Sequence, residues 1–357
     1  MIYYDINNHG TEKYYKIFAT NNSISLLNSS DINQYYIDCT YKCIPNELNT
    51  NSAALLVLIG YNYKLDKFQL ILVALLNNEN TDIFIHFYNF LKNAYYFSPK
   101  KIMVDFSLSN LNALKKVFND EKENLIILTC LFHFSQTLFR KAGKLKLRKK
   151  KYLNITKCII FNLELLSFMD LEEAKEYYKL IKKEFPPTDE NINNFYKYFE
   201  DTWLSLDDND IPRYPFDIWT YNKKFNFKGT KKVLINEDKL NEYVCFTNNA
   251  CESFNHLMNS CLSHSTSVSF NKFTEILKFI FIRMESSIDS NNEKIENKTF
   301  VSDFLRELIN LGYGKNKKII RIPELKKIKF QMNINEIYNL KLDDLDNNES
   351  EEFEEEE

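Results

Sequence analysis

Hydrophobic residues in the first part of the chain follow the period of β-strands. Residues 35–44, YYIDCTYKCI, alternate between two faces, with Asp38 on the face opposite Ile37. Two further apolar runs, AALLVLIGY at 53–61 and FQLILVALL at 68–76, are separated by a short polar stretch. Because short polar turns join antiparallel strands, these three segments predict a β-meander.

The pattern then changes to alternating helices and strands. Thr81 and Asp82 are suitable caps for a first helix, and Ser107 opens a second one. Short apolar runs at 101–105 and 125–130 predict buried strands, each followed by a helix. The order β-β-β-α-β-α-β-α predicts an α/β fold of the RNase H-like type, in which a mixed sheet of three antiparallel strands and then parallel strands is flanked by helices.

The remainder of the chain divides into segments of different composition. Residues 150–225 have helical periodicity and predict a helical insertion within a domain of residues 31–265. Helices are also predicted at 249–262 and 270–283. We expect an N-terminal segment, a C-terminal helical region and a disordered acidic tail at residues 1–30, 266–342 and 343–357, respectively.

Composition and charge narrow the class of protein. The chain has 357 residues, 44% of them apolar, and no apolar run reaches the roughly 18–20 residues of a membrane span. Seven cysteines without a CxxC pair favour a reducing, intracellular compartment. The tail has ten acids and no base, so the net charge of −3 becomes +7 for residues 1–342. This uneven distribution of charge is typical of a protein that binds polyanions. The alternative is that the acidic tail only increases solubility.

Three acidic residues occupy positions that need an explanation. Asp38 lies inside a predicted strand, where Asp is disfavoured, so it needs a cation, a hydrogen-bonding partner or an exposed face. Asp105 ends a predicted buried strand, where ligands bind in α/β sheets, but turns and helix caps also use Asp there. Glu252 lies in the first turn of a predicted helix, where it either faces a site or forms a capping box with Asn249.

Cys130 and His133 form the motif CLFH at a predicted strand-to-helix junction. They would supply half of a zinc site, but no completing pair occurs at standard spacing. A buried Cys beside a hydrogen-bonded His is therefore the favoured interpretation, and no zinc is expected.

A dense basic run, RKAGKLKLRKKK, extends over residues 140–151. Its eight bases suit sequence-independent binding of phosphates, nuclear import or the solvation of a helix end. The bases are Arg140, Lys141, Lys144, Lys146, Arg148, Lys149, Lys150 and Lys151.

Taken together, these segments resemble the Mutator-like (MULE) transposase domain over residues 31–265. YYIDCTYK resembles the first acidic strand of that family, and KKIMVDFSLSNLNALKKVF its second acidic segment with the following helix. CLFHFSQTLFR is similar to the family's Cys-x-x-His segment, and TNNACESFNHLMN to the segment with the third acid.

The resemblance implies a DDE triad of Asp38, Asp105 and Glu252 that binds two Mg²⁺ or Mn²⁺ ions. Two ions can clamp the attacking and leaving oxygens of a phosphodiester, and carboxylates are suitable ligands for them. The implied protein is a nuclear DNA transposase whose partners are element ends and target DNA, with contacts through the basic run and with assembly into a homo-oligomer. The residues expected to support the site are Cys130, His133, Asn249 and His256.

The sequence departs from the family in lacking the zinc-binding recognition domain and the zinc knuckle of many long members. Two hypotheses therefore remain. Retention of all three acids favours a metal-dependent transposase, whereas loss of a recognition domain favours a truncated or domesticated derivative that binds DNA without catalysis. A general RNase H-like nuclease is disfavoured by the Cys-x-x-His and TNNACES segments.

Overall fold

The chain divides by its internal contacts into two compact units. The first contains residues 1–130 and 234–302, and the second contains residues 131–233 and 303–357. The computed structural model describes residues 2–7, 14–41, 43–48, 52–118, 125–207, 210–222, 246–262, 268–289, 312 and 318–324. The acidic tail expected at 343–357 lies outside the described residues.

A seven-stranded mixed sheet forms the centre of the first unit. Its strands are β1 (Ile2–Asn7), β2 (Tyr14–Ala19), β3 (Ile32–Thr40), β4 (Ala54–Asn62), β5 (Lys67–Leu76), β6 (Lys101–Val104) and β7 (Ile126–Thr129). Their spatial order is β1-β2-β5-β4-β3-β6-β7. In this spatial order, the strands β1, β2, β5, β4 and β3 pair antiparallel with one another in turn. The pairs β3-β6 and β6-β7 are parallel. The predicted α/β class with a mixed sheet is confirmed.

The N-terminal segment expected at 1–30 contains two strands of the central sheet. β1 and β2 pair with each other, and β2 continues the sheet by pairing antiparallel with β5. Tyr15, Ile17 and Phe18 are completely buried in β2. Without β2, the backbone N–H and C=O groups along one side of β5 would be unpaired. The position of β2 therefore depends on its pairing with a strand that is distant in the sequence.

Helices flank the sheet and make up most of the second unit. The helices are α1 (Asn21–Ser25), α2 (Thr81–Tyr95), α3 (Leu108–Phe118), α4 (Leu131–Lys144), α5 (Leu153–Leu165), α6 (Leu171–Glu184), α7 (Glu190–Thr202), α8 (Phe216–Trp219), α9 (Asn249–Cys261) and α10 (Phe270–Asp289). The cap of α2 is Asn80, not Thr81 or Asp82, because the Asn80 side chain accepts a hydrogen bond from the Ile83 N–H at 2.9 Å. Within the described residues, no helix is both long and apolar enough to cross a membrane.

The second unit has an aromatic core of its own. Phe134 stacks on Trp219 with ring centroids 5.1 Å apart, and the Trp219 indole N–H donates to the Trp203 carbonyl at 3.0 Å. Both tryptophans are buried. The helical insertion expected at 150–225 falls within this unit, which also includes α4.

Candidate functional site

The topology of the sheet brings Asp38 and Asp105 to the same edge. β3 and β6 are parallel neighbours, with Tyr35 opposite Ile102. Three positions further along each segment are Asp38, inside β3, and Asp105, directly after β6. Since the carboxyl ends of parallel strands meet at one edge, this is where an α/β sheet places its ligands.

Helix α9 brings Glu252 to that edge. It packs against β3 and β4, and Glu252 lies in its first turn. A carboxylate oxygen of Glu252 and the Sγ of Cys130 lie within 4.8 Å of each other. Cys130 follows β7 directly, and its N–H donates to the Val104 carbonyl at 2.9 Å. Glu252 is therefore held at the ends of the strands that precede Asp105 and Cys130.

The electrostatics of Asp38 show that the acids act on one another. Its side chain is only 7% exposed, and burial raises the pKa of Asp38 well above its usual value. The charges of Asp105, Glu252 and Glu79 raise this pKa further, whereas a hydrogen bond from Asn255 lowers it. A buried carboxylate surrounded by like charges must hold a proton or sit beside a cation.

Glu79 is a fourth acid of this cluster that sequence reasoning missed. It lies in the turn between β5 and α2, accepts a hydrogen bond from the Tyr41 hydroxyl, and has its pKa raised mainly by burial. β5 runs in the same direction as β3, because both are antiparallel to β4. The rule that identified Asp105, a polar residue after a strand end, would have found Glu79 if applied to β5 as well.

Asn248 is a second residue missed by sequence reasoning, and it corrects the expected role of Asn249. Asn248 is the N-cap of α9, so Asn249 is already helical, and the capping box that was the alternative interpretation of Asn249 and Glu252 does not form. The Asn248 side chain makes no cap hydrogen bond either. A side-chain cap contributes about 0.5–2 kcal/mol. Helix α9 forgoes it, and the Asn248 Nδ2 instead donates to the Ile37 carbonyl at 3.0 Å.

The polar stripe of α9 reaches the site through Asn255 and not through His256. The Asn255 Nδ2 donates to Oδ2 of Asp38 at 3.0 Å. His256, which was expected to support the site, is exposed. A helix rotates by about 100° per residue, so two neighbouring polar residues cannot both face the strand.

Cys130 and His133 fall on either side of the division between the units. Cys130 is completely buried in the first unit, where its Sγ accepts the Asn248 N–H at 3.2 Å. His133 lies in the first turn of α4, which belongs to the second unit. Cys130 therefore supports the start of α9, the role expected of a buried Cys.

The basic run lies in the second unit and is not a continuous helix end. α4 ends at Lys144, and Lys146 has a left-handed backbone with φ of 59°. Leu147 is 1% exposed and anchors the turn. The exposed bases are Arg140, Lys144, Lys146, Lys149, Lys150 and Lys151.

Several oxygen donor atoms lie at or near the strand ends. Mg²⁺ and Mn²⁺ prefer carboxylate and amide oxygens, and Asp38, Asp105 and Glu252 supply carboxylates. The Oδ1 atoms of Asn248 and Asn255 are buried and have no hydrogen-bond partner among the described residues. The fold and the site thus define an α/β protein with an acidic cluster around the buried Asp38, at the carboxyl edge of its sheet. A comparison with family models and with curated proteins finds no match to this chain.

Proposed function

We propose that this protein is a DDE-type DNA transposase of the RNase H-like kind, which hydrolyses phosphodiester bonds and transfers DNA strands with the help of Mg²⁺ or Mn²⁺. One observation carries the proposal: Asp38 is buried in a sheet, and its main electrostatic partners are Asp105, Glu252 and Glu79. Burying the charged form of Asp38 beside these like charges is costly without a cation. The resemblance of the acidic segments to Mutator-like transposases supports the choice of DNA as substrate.

Each acid has a distinct role in holding the ions. Asp38 is oriented by Asn255, which occupies Oδ2 and leaves Oδ1 for a ligand. Asp105 accepts the Ser107 N–H on Oδ1 at 3.0 Å, which orients its carboxylate. Glu252 completes the set from α9. Asp38, Asp105 and Glu252 would hold two divalent ions, whose charge would stabilise the attacking and leaving oxygens of a phosphodiester.

The basic run is the proposed contact for DNA. Six of its eight bases are exposed, four of them in the turn between α4 and α5, where they are accessible to phosphates. Contacts of this kind attract DNA of any sequence and weaken with salt. The same exposed run suits nuclear import, which agrees with a protein that acts on nuclear DNA.

The second candidate function is DNA binding without catalysis, as in a domesticated derivative. The exposed basic turn favours it, because phosphate contacts need no acidic site. The two candidates differ in what Asp38 does. A transposase needs its carboxylate to hold a metal ion, whereas a DNA-binding derivative does not.

The test compares cleavage of a DNA substrate with and without Mg²⁺ or Mn²⁺. The variants are Asp38→Asn, Asp105→Asn and Glu252→Gln, and the matched control is Asp82→Asn, an exposed acid in the first turn of α2. We expect metal-dependent cleavage by the wild type and by the control, and a loss of at least about 100-fold in each triad variant.

Two results contradict the proposal in different ways. Cleavage that persists in all three triad variants refutes the site. Firm DNA binding by a wild type that cleaves nothing with either metal favours the non-catalytic candidate.

A further inference from the structure

Two asparagines, Asn248 at the N-cap of α9 and Asn255 within the helix, donate hydrogen bonds to one short stretch of β3. The Nδ2 of Asn248 donates to the Ile37 carbonyl, and the Nδ2 of Asn255 donates to the Asp38 carboxylate, both at 3.0 Å. Ile37 and Asp38 are adjacent in β3. The helix that carries Glu252 is therefore tied to the strand at the position of Asp38 itself.

The orientation of both amides follows from their partners. A backbone carbonyl and a carboxylate only accept hydrogen bonds, so each must face an NH₂ group and not an amide oxygen. The backbone carbonyl oxygen of Asn248 accepts hydrogen bonds from the backbone N–H groups of Cys251 at 3.0 Å and Glu252 at 3.2 Å. A single residue thus connects β3 to the backbone of Glu252.

Because the Asn248 side chain bonds to β3, helix α9 lacks the stabilisation that a side-chain N-cap would give it. Asn is a preferred N-cap because its side-chain oxygen pairs with the first N–H groups of a helix, and Asn248 does not do so. Its Oδ1 is buried without a hydrogen-bond partner among the described residues. A buried polar atom without a hydrogen-bond partner lowers stability, so it needs an explanation such as a functional role.

We propose that Asn248 and Asn255 are positioning residues that set the Glu252 carboxylate against Asp38, so that the two acids share a divalent cation. We call this pair the amide clamp. It deepens the proposed function and rests on it, since the shared cation is the one that the transposase site would use. The clamp acts through the ligands, as the outer contacts of metal sites do, and does not itself need to touch the ion.

The first measurement tests the clamp without metal. Amide hydrogen exchange is followed in EDTA for the first turn of α9, at Cys251 and Glu252, and for its end, at Leu262, whose N–H bonds to Met258. Asn248→Ala should accelerate exchange at the first turn by about tenfold or more and leave Leu262 unchanged. Equal rates in wild type and variant at Cys251 and Glu252 overturn the clamp.

The second measurement tests what the clamp does for metal binding. Mn²⁺ affinity is determined by electron paramagnetic resonance for wild type, Asn248→Ala and Asn255→Ala. The dissociation constant of each is calculated with the concentration of folded protein. We expect the dissociation constant to rise by about 10- to 100-fold in both variants. Asn255 is only partly buried, so Asn255→Ala keeps the test valid if Asn248→Ala does not fold.

The control is Asn259→Ala on the same helix. Asn259 accepts a hydrogen bond from the Cys43 thiol at 2.9 Å, so its loss weakens the docking of α9 away from Asp38. Its Mn²⁺ affinity should equal that of the wild type, and an equal loss in all three variants refutes a positioning role. If the wild type binds no Mn²⁺, the proposed function fails, and the exchange pattern alone decides whether the clamp exists.

Discussion

Replacing Asp38 by Asn should stabilise the metal-free protein at neutral pH. Asp38 is nearly completely buried, and its pKa is raised first by burial and then by three neighbouring carboxylates. Asn has almost the same shape and carries no charge. The substitution therefore removes an electrostatic penalty and leaves the packing of β3 intact.

The magnitude follows from the balance of two effects. One pKa unit corresponds to about 1.4 kcal/mol, and the pKa of Asp38 is raised well above its usual value. The hydrogen bond from Asn255 opposes this effect, and the raised pKa of Asp38 already includes its contribution. We expect a net increase in the free energy of unfolding on the order of 1–3 kcal/mol at pH 7.

The pH dependence has a definite sign. Below the ordinary pKa of Asp, 3.8, the carboxyl is protonated in both the folded and the unfolded chain, so it causes no penalty. As the pH rises from there towards the raised pKa, the unfolded chain releases its proton while the folded chain keeps it, and the wild type loses stability. The advantage of Asp38→Asn should therefore grow with rising pH across this window.

The assay is urea unfolding in EDTA at several pH values. Both tryptophans, Trp203 and Trp219, lie in the second unit, so their fluorescence reports that unit, and amide exchange in β3 reports the first. Saturating Mg²⁺ should then stabilise the wild type, by about 2.7 kcal/mol at 100 times its dissociation constant, and not Asp38→Asn. A variant less stable than wild type at pH 7 in EDTA, or a difference independent of pH, would show that the pKa of Asp38 is not raised in the folded protein.

Three further predictions concern other parts of the chain. Glu79→Gln should lower the pKa of Asp38, and in the same pH series it should stabilise the metal-free protein less than Asp38→Asn does. The reason is that Glu79 has the weakest effect of the three carboxylates that raise this pKa. Asn162→Ala should cost about 2–3 kcal/mol by tryptophan fluorescence, because it leaves the buried N–H and C=O of Ile320 without partners; a decrease below about 1 kcal/mol contradicts this. Alanine at all of Lys149, Lys150 and Lys151 should reduce the salt slope of DNA binding by about 0.9 for each phosphate that these side chains neutralise, and an unchanged slope assigns the run to another role.

The sheet was predictable where its signals are local. Alternating or continuous apolar runs identified β3, β4 and β5, since side chains in a strand change face at every residue. The same reasoning placed Asp38 within a strand and Asp105 at the end of another. β1 and β2 were missed, because what stabilises them is pairing with each other and with β5.

The sequence by itself determined the α/β class, the order of strands and helices from β3 onward, and the three acids at suitable positions within them. Only the tertiary structure decided what surrounds Asp38. The partners of Ile37 and Asp38 on α9 are 211 and 217 residues away in the chain, and Glu79 reaches the same edge from the far side of β4. No local periodicity encodes such contacts, because they depend on how strands and helices from distant segments pack together.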